Sequence, residues 1–246
     1  MKQAHCIYQD DEHRWLAIAR DPTKPGYIID TNEYVIIDGD EALLCDPGGI
    51  EIFPSVFSAL SAECDPTKLA GIFASHQDPD IISSLALWLE FKPELKCYIS
   101  WLWQSFLPHF GGTDTTFVPI PDPGMAIKLG GLELQAIPAH YLHSSGNHHL
   151  YDPKAKILFS GDVGAALLPP DQNSLYVEDF SRHIRHAEGF HKRWMGSDKA
   201  KRDWCERVSR LDIDMLVPQH GAIYQGADVQ RFISWFAALE VGVLRG

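Results

Sequence analysis

Residues 69–80 read Leu-Ala-Gly-Ile-Phe-Ala-Ser-His-Gln-Asp-Pro-Asp. The apolar side chains at the start of this stretch predict a buried strand over residues 69–74. The chain then turns polar at once, and His76, Asp78 and Asp80 alternate along the segment that follows the strand. Polar side chains at the end of a core strand are held rigidly, and imidazole together with carboxylate is a ligand set for divalent metals. This stretch therefore predicts one part of a metal site at the edge of a sheet.

Three more polar residues follow predicted strands in the same way. His143 lies in a His-Ser-Ser-Gly-Asn loop after the strand at 132–137, Asp162 follows Ile-Leu-Phe at 157–159, and His220 follows Met-Leu-Val-Pro at 215–218. Each residue has an ordinary structural alternative when it is taken alone. A histidine at a strand end is often only hydrogen-bonded, Asp80 could cap a helix, and Asp162 could be a turn residue. Because all of these residues follow core strands, the pattern favours one shared cleft with three imidazoles and three carboxylates that can bind two metals.

Further elements place these motifs in an α/β (α+β) chain. Hairpin patterns end at Cys45, Ile137 and Phe159, and helical spacing recurs at 51–63, 81–91, 179–194, 199–211 and 227–239. Strand–helix units occur in both halves of the sequence, and no convincing linker divides it. We therefore predict one domain over residues 1–246, built from two mixed sheets with helices outside them.

Composition excludes several classes of protein. The 21 Lys+Arg and 33 Asp+Glu residues give a formal net charge of −12. This balance argues against binding nucleic acid or an anionic membrane. The longest apolar stretch is broken by Glu240, and the N-terminus has no signal-peptide pattern. The five cysteines are scattered, without a Cys-x-x-Cys pair, so we expect reduced thiols and a cytoplasmic location.

The four motifs together resemble the metallo-β-lactamase superfamily. His-x-Asp-x-Asp, His-Ser-Ser-Gly-Asn, Phe-Ser-Gly-Asp and Pro-x-His-Gly occur in its order, and the resemblance extends from about Tyr34 to Tyr224. A carboxylate at Asp78, the second ligand position, is similar to the flavodiiron proteins and the related oxygen-binding diiron proteins. The resemblance implies an αβ/βα sandwich with a dinuclear site at one edge.

The resemblance also assigns the residues of that site. It implies a first metal held by His76, Asp78, His143 and Asp162, and a second held by Asp80, His220 and the same Asp162 as a bridge. Asp46, in Leu-Leu-Cys-Asp-Pro-Gly-Gly, matches a motif whose aspartate is a hydrogen-bond partner for a ligand imidazole; alone it could be a turn residue.

Two residues depart from the pattern of the diiron proteins. Those proteins usually have Glu where this chain has Asp78, and the residue after Asp80 is commonly His, whereas here it is Ile81. The second metal therefore lacks one nitrogen ligand. It could have an extra open position, bind more weakly or take another histidine.

The ligand types and the resemblance together predict a function. Oxygen-rich ligands favour two iron ions, with zinc as the alternative, and such a centre can bind or reduce dioxygen or nitric oxide. The chain ends about 26 residues after His220, so we expect no flavodoxin-like domain and no FMN, and any reduction needs an external flavoprotein or rubredoxin-type donor. A homodimer is implied by the resemblance alone. The alternatives are a dinuclear zinc hydrolase and a binding module with one metal or none.

Overall fold

A computed structural model describes residues 2–21, 23–24, 29–110 and 116–243. Two mixed sheets form the centre of the fold. The first sheet has the order β1-β2-β3-β4-β5-β6-β7, in which β1 to β4 are antiparallel and β4 to β7 are parallel. Its strands are β1 (Ala4–Asp10), β2 (His13–Ile18), β3 (Glu33–Asp38), β4 (Glu41–Cys45), β5 (Leu69–Phe73), β6 (Lys96–Ser100) and β7 (Phe117–Ile120).

The second sheet has the order β13-β12-β11-β10-β9-β8 and is antiparallel except where β11 pairs with β12. Its strands are β8 (Met125–Leu129), β9 (Leu132–Pro138), β10 (His148–Asp152), β11 (Ile157–Phe159), β12 (Met215–Val217) and β13 (Tyr224–Gln225).

Helices cover the outer face of each sheet. The helices are α1 (Phe53–Glu63), α2 (Pro79–Ile82), α3 (Leu85–Phe91), α4 (Phe180–Trp194), α5 (Asp198–Val208) and α6 (Ala227–Ala238), with short 3-10 turns at Ile50–Ile52, Pro66–Lys68, Trp101–Trp103 and Leu107–Phe110. Because α1 and α3 carry the apolar residues that meet the first sheet, and α4 to α6 those that meet the second, the layers are helix, sheet, sheet, helix. The predicted αβ/βα sandwich with two mixed sheets is confirmed.

A third apolar cluster fills the space between the two sheets. Trp15, Tyr34 and Phe73 from the first sheet meet Leu150 and Phe159 from the second, and all five are fully buried. Burial of large apolar side chains is the main favourable term in folding. This central layer therefore fixes the distance between the sheets, and with it the distance between the strand ends that carry the polar motifs.

All five cysteines are free thiols, as expected from their scattered positions. Among the helices in the part of the chain that the structure describes, none combines the length and the apolar composition needed to cross a bilayer.

Candidate metal centre

Six side chains that follow strands of the two sheets meet at one edge of the sandwich. The first sheet supplies three of them after β5, and the second sheet supplies one each after β9, β11 and β12. They are His76, Asp78, Asp80, His143, Asp162 and His220. The site that the sequence predicted is therefore assembled from both halves of the chain, across the central core.

Asp162 lies between the histidines of the two halves. Its Oδ2 atom is 3.2 Å from Nε2 of His76 and 2.8 Å from Nε2 of His143, whereas its Oδ1 atom is 3.2 Å from Nε2 of His220. One oxygen therefore faces each half of the cluster, which is the arrangement that a bridging carboxylate needs.

The other two carboxylates are divided between the halves. Asp78 Oδ2 is 3.4 Å from His143 Nε2 and 3.8 Å from His76 Nε2, and Asp80 Oδ2 is 3.4 Å from His220 Nε2. The ligand atoms of His76, Asp78 and His143 all lie within 4.8 Å of one another. Asp78 occupies the N-cap position of α2 without making a capping bond, and Asp80 lies in the first turn. The short helix therefore presents both carboxylates to the cleft.

His76 is oriented by a hydrogen-bonded chain that ends at Asp46. The Ser75 hydroxyl donates to Asp46 Oδ2 at 2.7 Å, and the same oxygen is 2.9 Å from His76 Nδ1. Because the hydroxyl has only one proton, Nδ1–H of the imidazole is the donor in the second bond. Asp46 Oδ1 also accepts from the Ser75 backbone N–H at 2.7 Å. The chain leaves Nε2 of His76 facing the cleft, as the atom that would bind a cation once its proton is displaced.

His220 is oriented by a backbone carbonyl instead. Its Nδ1 atom is 2.8 Å from the carbonyl oxygen of Asp30, and since a carbonyl only accepts, Nδ1 carries the proton. Nε2, the atom that remains for a cation, then faces Asp80 and Asp162. The two ligand imidazoles thus have the same orientation toward the cleft, fixed by different partners.

A second chain of bonds orients Asp78. Ser144 Oγ donates to Gln77 Oε1 at 2.7 Å, and Gln77 Nε2 donates to Asp78 Oδ1 at 3.0 Å. This leaves Oδ2 of Asp78 to face His76 and His143. Gln77 therefore couples the segment after β5 to the His143 loop.

Aromatic rings from α4 form one wall of the cluster. The ring of Phe190 is 6.5 Å from that of His143 and 6.2 Å from that of His220, and it stacks on Trp194 at 6.0 Å. Trp194 is also 5.3 Å from His143 and is itself half exposed. These rings cover the histidines with apolar surface at the mouth of the cleft.

The charges in the cluster stabilise one another. Burial alone would lower the pKa of His76 and of His220, but the carboxylate of Asp162 beside them raises each pKa to about 9. Burial would raise the pKa of Asp162, yet the three imidazoles hold it well below its ordinary value. Burial also raises the pKa of Asp80. A cation that bound here would therefore displace a proton from each imidazole, and its positive charge would replace that of the imidazolium beside Asp162.

The residues present fit a pair of bound cations. Within the described part of the chain, Nε2 of His76 and Oδ1 of Asp162 are both fully buried and have no hydrogen-bond partner. Leaving buried polar atoms unsatisfied is costly, and unpaired atoms of this kind in a native fold call for an explanation such as an ion. Each orphaned atom belongs to a different half of the cluster, so one ion in each half would satisfy both.

Several residues next to the six ligand side chains have roles that only the structure shows. Ile81, where a histidine is common, is fully buried in the core under α1 and α3 and offers no donor. His191 is buried in the core, and its Nε2 accepts from Gly164 N at 3.0 Å next to the Asp162 loop. Ser75 and Gln77 were missed, although their positions on either side of His76 were a usable signal.

Comparison with known proteins agrees with this architecture. The family model described as "ODP family beta lactamase" matches residues 29–221. The chemotaxis sensor ODP, solved as a peroxy diiron species, is 40% identical over 98% of this chain and 96% of its own, with a TM-score of 0.86. The apo state of ODP from T. denticola has the same identity and coverage and a TM-score of 0.89.

More distant structures share the fold. A mutant of the flavo di-iron protein from Thermotoga maritima is 23% identical, with a TM-score of 0.81, over 96% of this chain and 61% of its own. No curated protein sequence matches the chain. The extent of the family match and the 40% identity over nearly the whole chain show that this protein belongs to the ODP family of β-lactamase-fold proteins.

Proposed function

We propose that this protein binds dioxygen, or nitric oxide, at a non-haem dinuclear iron centre. The observation that carries the proposal is the position of Asp162, with one carboxylate oxygen facing His76 and His143 and the other facing His220. The relative that is 40% identical, the chemotaxis sensor ODP, is described as forming a peroxy diiron species.

The donor set favours iron in the first half of the cluster. His76, His143 and Asp78 supply two imidazoles and a carboxylate, a combination used by non-haem ferrous sites that keep positions open for oxygen. Asp162 adds a second carboxylate to that half. In the second half, Asp80 and Asp162 outnumber the single imidazole of His220, so hard oxygen donors dominate there. We therefore propose the six residues of the cluster as the metal ligands.

The chain's own residues prepare this centre for a small apolar ligand. The Asp46–Ser75 pair and the Asp30 carbonyl hold two imidazoles through Nδ1, with Nε2 toward the cleft. Ile81 withholds a donor from the second half, and Phe190 lines the histidines with apolar surface that disfavours water. Two ferrous ions, when bound, would supply open coordination positions and electrons for a diatomic gas.

We further propose that binding, rather than rapid turnover, is the role of the site. Repeated reduction of the gas would need electrons from a flavoprotein or a rubredoxin-type donor, whereas stoichiometric binding needs none. The 40% identical relative is named as a sensor. A cytoplasmic location suits the five free thiols and a ferrous centre. A homodimer remains part of this proposal.

The experiment is oxygen addition to the reduced, iron-loaded protein. We expect a new absorption band in the near ultraviolet or visible, saturating at about one dioxygen per two irons, because each chain has one pair of facing half-sites. Without an added reductase the reaction should stop after a single turnover. Stopped-flow spectra and an oxygen electrode measure the two quantities.

The zinc-loaded protein provides the comparison. It should hydrolyse a panel of ester, thioester and phosphodiester substrates poorly. Efficient hydrolysis by the zinc form, combined with no spectral response of the iron form to oxygen, would make the protein a zinc hydrolase and end the proposal.

A further inference from the structure

The loop that carries His220 is hydrogen-bonded to its surroundings through each backbone carbonyl from Pro218 to Gly221. The His220 carbonyl accepts from Ala166 N at 3.2 Å, and Gln219 N donates to the Gly161 carbonyl at 2.8 Å. The Gln219 side-chain amide donates to the Asp80 carbonyl at 3.3 Å. The loop is thus tied to the segments that present Asp162 and Asp80.

Asn32 makes three further bonds to this loop, two of them from its side chain across 186 and 189 residues of sequence. Its side-chain Nδ2 donates to the carbonyls of Pro218 at 3.2 Å and Gly221 at 2.9 Å, and its backbone N–H donates to the Gln219 carbonyl at 2.6 Å. Its Oδ1 accepts from the Arg20 backbone N–H at 2.9 Å. Both amide protons and the backbone proton of Asn32 therefore bond to carbonyls within two residues of His220, on both sides of it.

The same segment holds the imidazole of His220 itself. The Asp30 carbonyl accepts from Nδ1 of His220, two residues before Asn32, and Tyr34 OH donates to the Pro218 carbonyl at 2.9 Å, two residues after it. Asn32 and Tyr34 are fully buried, so water does not replace these bonds. The position of His220 Nε2 relative to Asp80 and Asp162 thus depends on this segment of the first sheet.

From this geometry we infer that Asn32 is a positioning residue for the second metal, acting through the His220 loop. The inference rests on the proposed dinuclear centre. Asn32 is well suited to the task because one amide group offers two protons to two carbonyls that flank His220, and no other side chain of this size supplies both protons and an acceptor. The first metal would be held by His76 and His143, and the bond that orients His76 runs to Ser75 rather than to Asn32.

The test measures the two metal-binding steps separately in the Asn32→Ala protein. Cobalt(II) is titrated into the metal-free protein and followed by calorimetry and by its visible spectrum, and His220→Ala identifies the step that belongs to the second site. Loss of outer partners of a ligand typically weakens metal binding 10- to 100-fold. We expect a weakening of this size at the second step and less than about threefold change at the first.

Tyr151→Phe is the matched control for a general loss of stability. Tyr151 is buried in the apolar cluster between the second sheet and its covering helices. Its hydroxyl donates to the Asp212 carbonyl at 2.8 Å, away from both halves of the metal cluster. It should lower stability and leave both binding steps unchanged. If Asn32→Ala does not fold, Tyr34→Phe replaces it, since it removes one bond from the Pro218 carbonyl, and the loss should again be confined to the second step.

The outcomes separate this inference from the proposed centre. Equal weakening of both steps, or no weakening of the second, in Asn32→Ala or in its substitute Tyr34→Phe would overturn the role of Asn32. A wild-type protein that binds fewer than two cobalt ions would instead overturn the dinuclear centre on which the inference rests.

Discussion

Asp162→Ala should reduce the metal content from two ions per chain to fewer than one. Asp162 has an oxygen toward each half of the cluster, so the substitution removes a ligand from both. It also removes the negative charge that separates two neighbouring cations, whose mutual repulsion is strong in a buried site. Metal analysis after dialysis against a weak chelator measures the effect.

His220→Ala is the matched comparison for Asp162→Ala. His220 faces Asp80 and Asp162, so its loss should empty the second half and spare the first. A result in which Asp162→Ala kept full metal content while His220→Ala lost both ions would show that the bridge has been assigned to the wrong residue.

The metal-free protein should lose stability steeply as the pH falls from about 6.5 to about 4. Burial lowers the pKa of His149 to about 3 and the pKa of His148, His183 and His191 to about 4. Below about pH 6.5 the unfolded chain takes up protons at these positions before the folded protein does. Since the unfolded state binds more protons, the free energy of unfolding decreases as the pH is lowered, by up to about 1.4 kcal/mol per pH unit for each histidine.

Two buried carboxyl groups oppose this trend. Burial raises the pKa of Asp46 to about 7 and also raises the pKa of Asp80, so the folded state binds these protons first and gains stability as the pH falls. With two such groups against four histidines, we expect a net slope of up to about 2.7 kcal/mol per pH unit. Urea unfolding at several pH values measures it. His149→Gln should reduce the slope, whereas substitution of the exposed His5 by Gln should leave it unchanged. A flat profile for the wild type would show that the buried histidines already carry protons in the folded state.

Local signals explain why most of the cluster could be predicted from the sequence. His76, His143, Asp162 and His220 each follow a short run of apolar residues, and the strands they follow were predicted from those runs. A residue that ends a core strand is placed by that strand, so its approximate location follows from local pattern alone.

The two edge strands of the first sheet were missed for a physical reason, and the inner strand β6 was missed with them. β1 and β7 lie at the two ends of the first sheet. β1 is only partly buried along its length, and β7 contains Pro119, so neither has the apolar alternation of a core strand. The helix predicted over 81–91 is divided into α2 and α3 because Ser84 Oγ donates to the Pro47 carbonyl, a contact that no local pattern reports.

Long-range partners lay beyond sequence reasoning altogether. Asn32 contacts the His220 loop across 186 to 189 positions of sequence, and nothing around Asn32 marks it as different from a turn residue. Asp46 was predicted as a partner of a ligand imidazole from its motif, but the intervening hydroxyl of Ser75 became visible only in the structure. Such contacts depend on how the two sheets pack.

The metal content of the protein purified without added metal tests the dinuclear iron centre most directly. Atomic emission analysis of anaerobically prepared protein should find close to two iron ions per chain, and the amount of zinc should be negligible, because the oxygen-rich donor set favours iron. Two zinc ions per chain would contradict the choice of metal and point to hydrolysis. One ion or none would contradict the paired site itself.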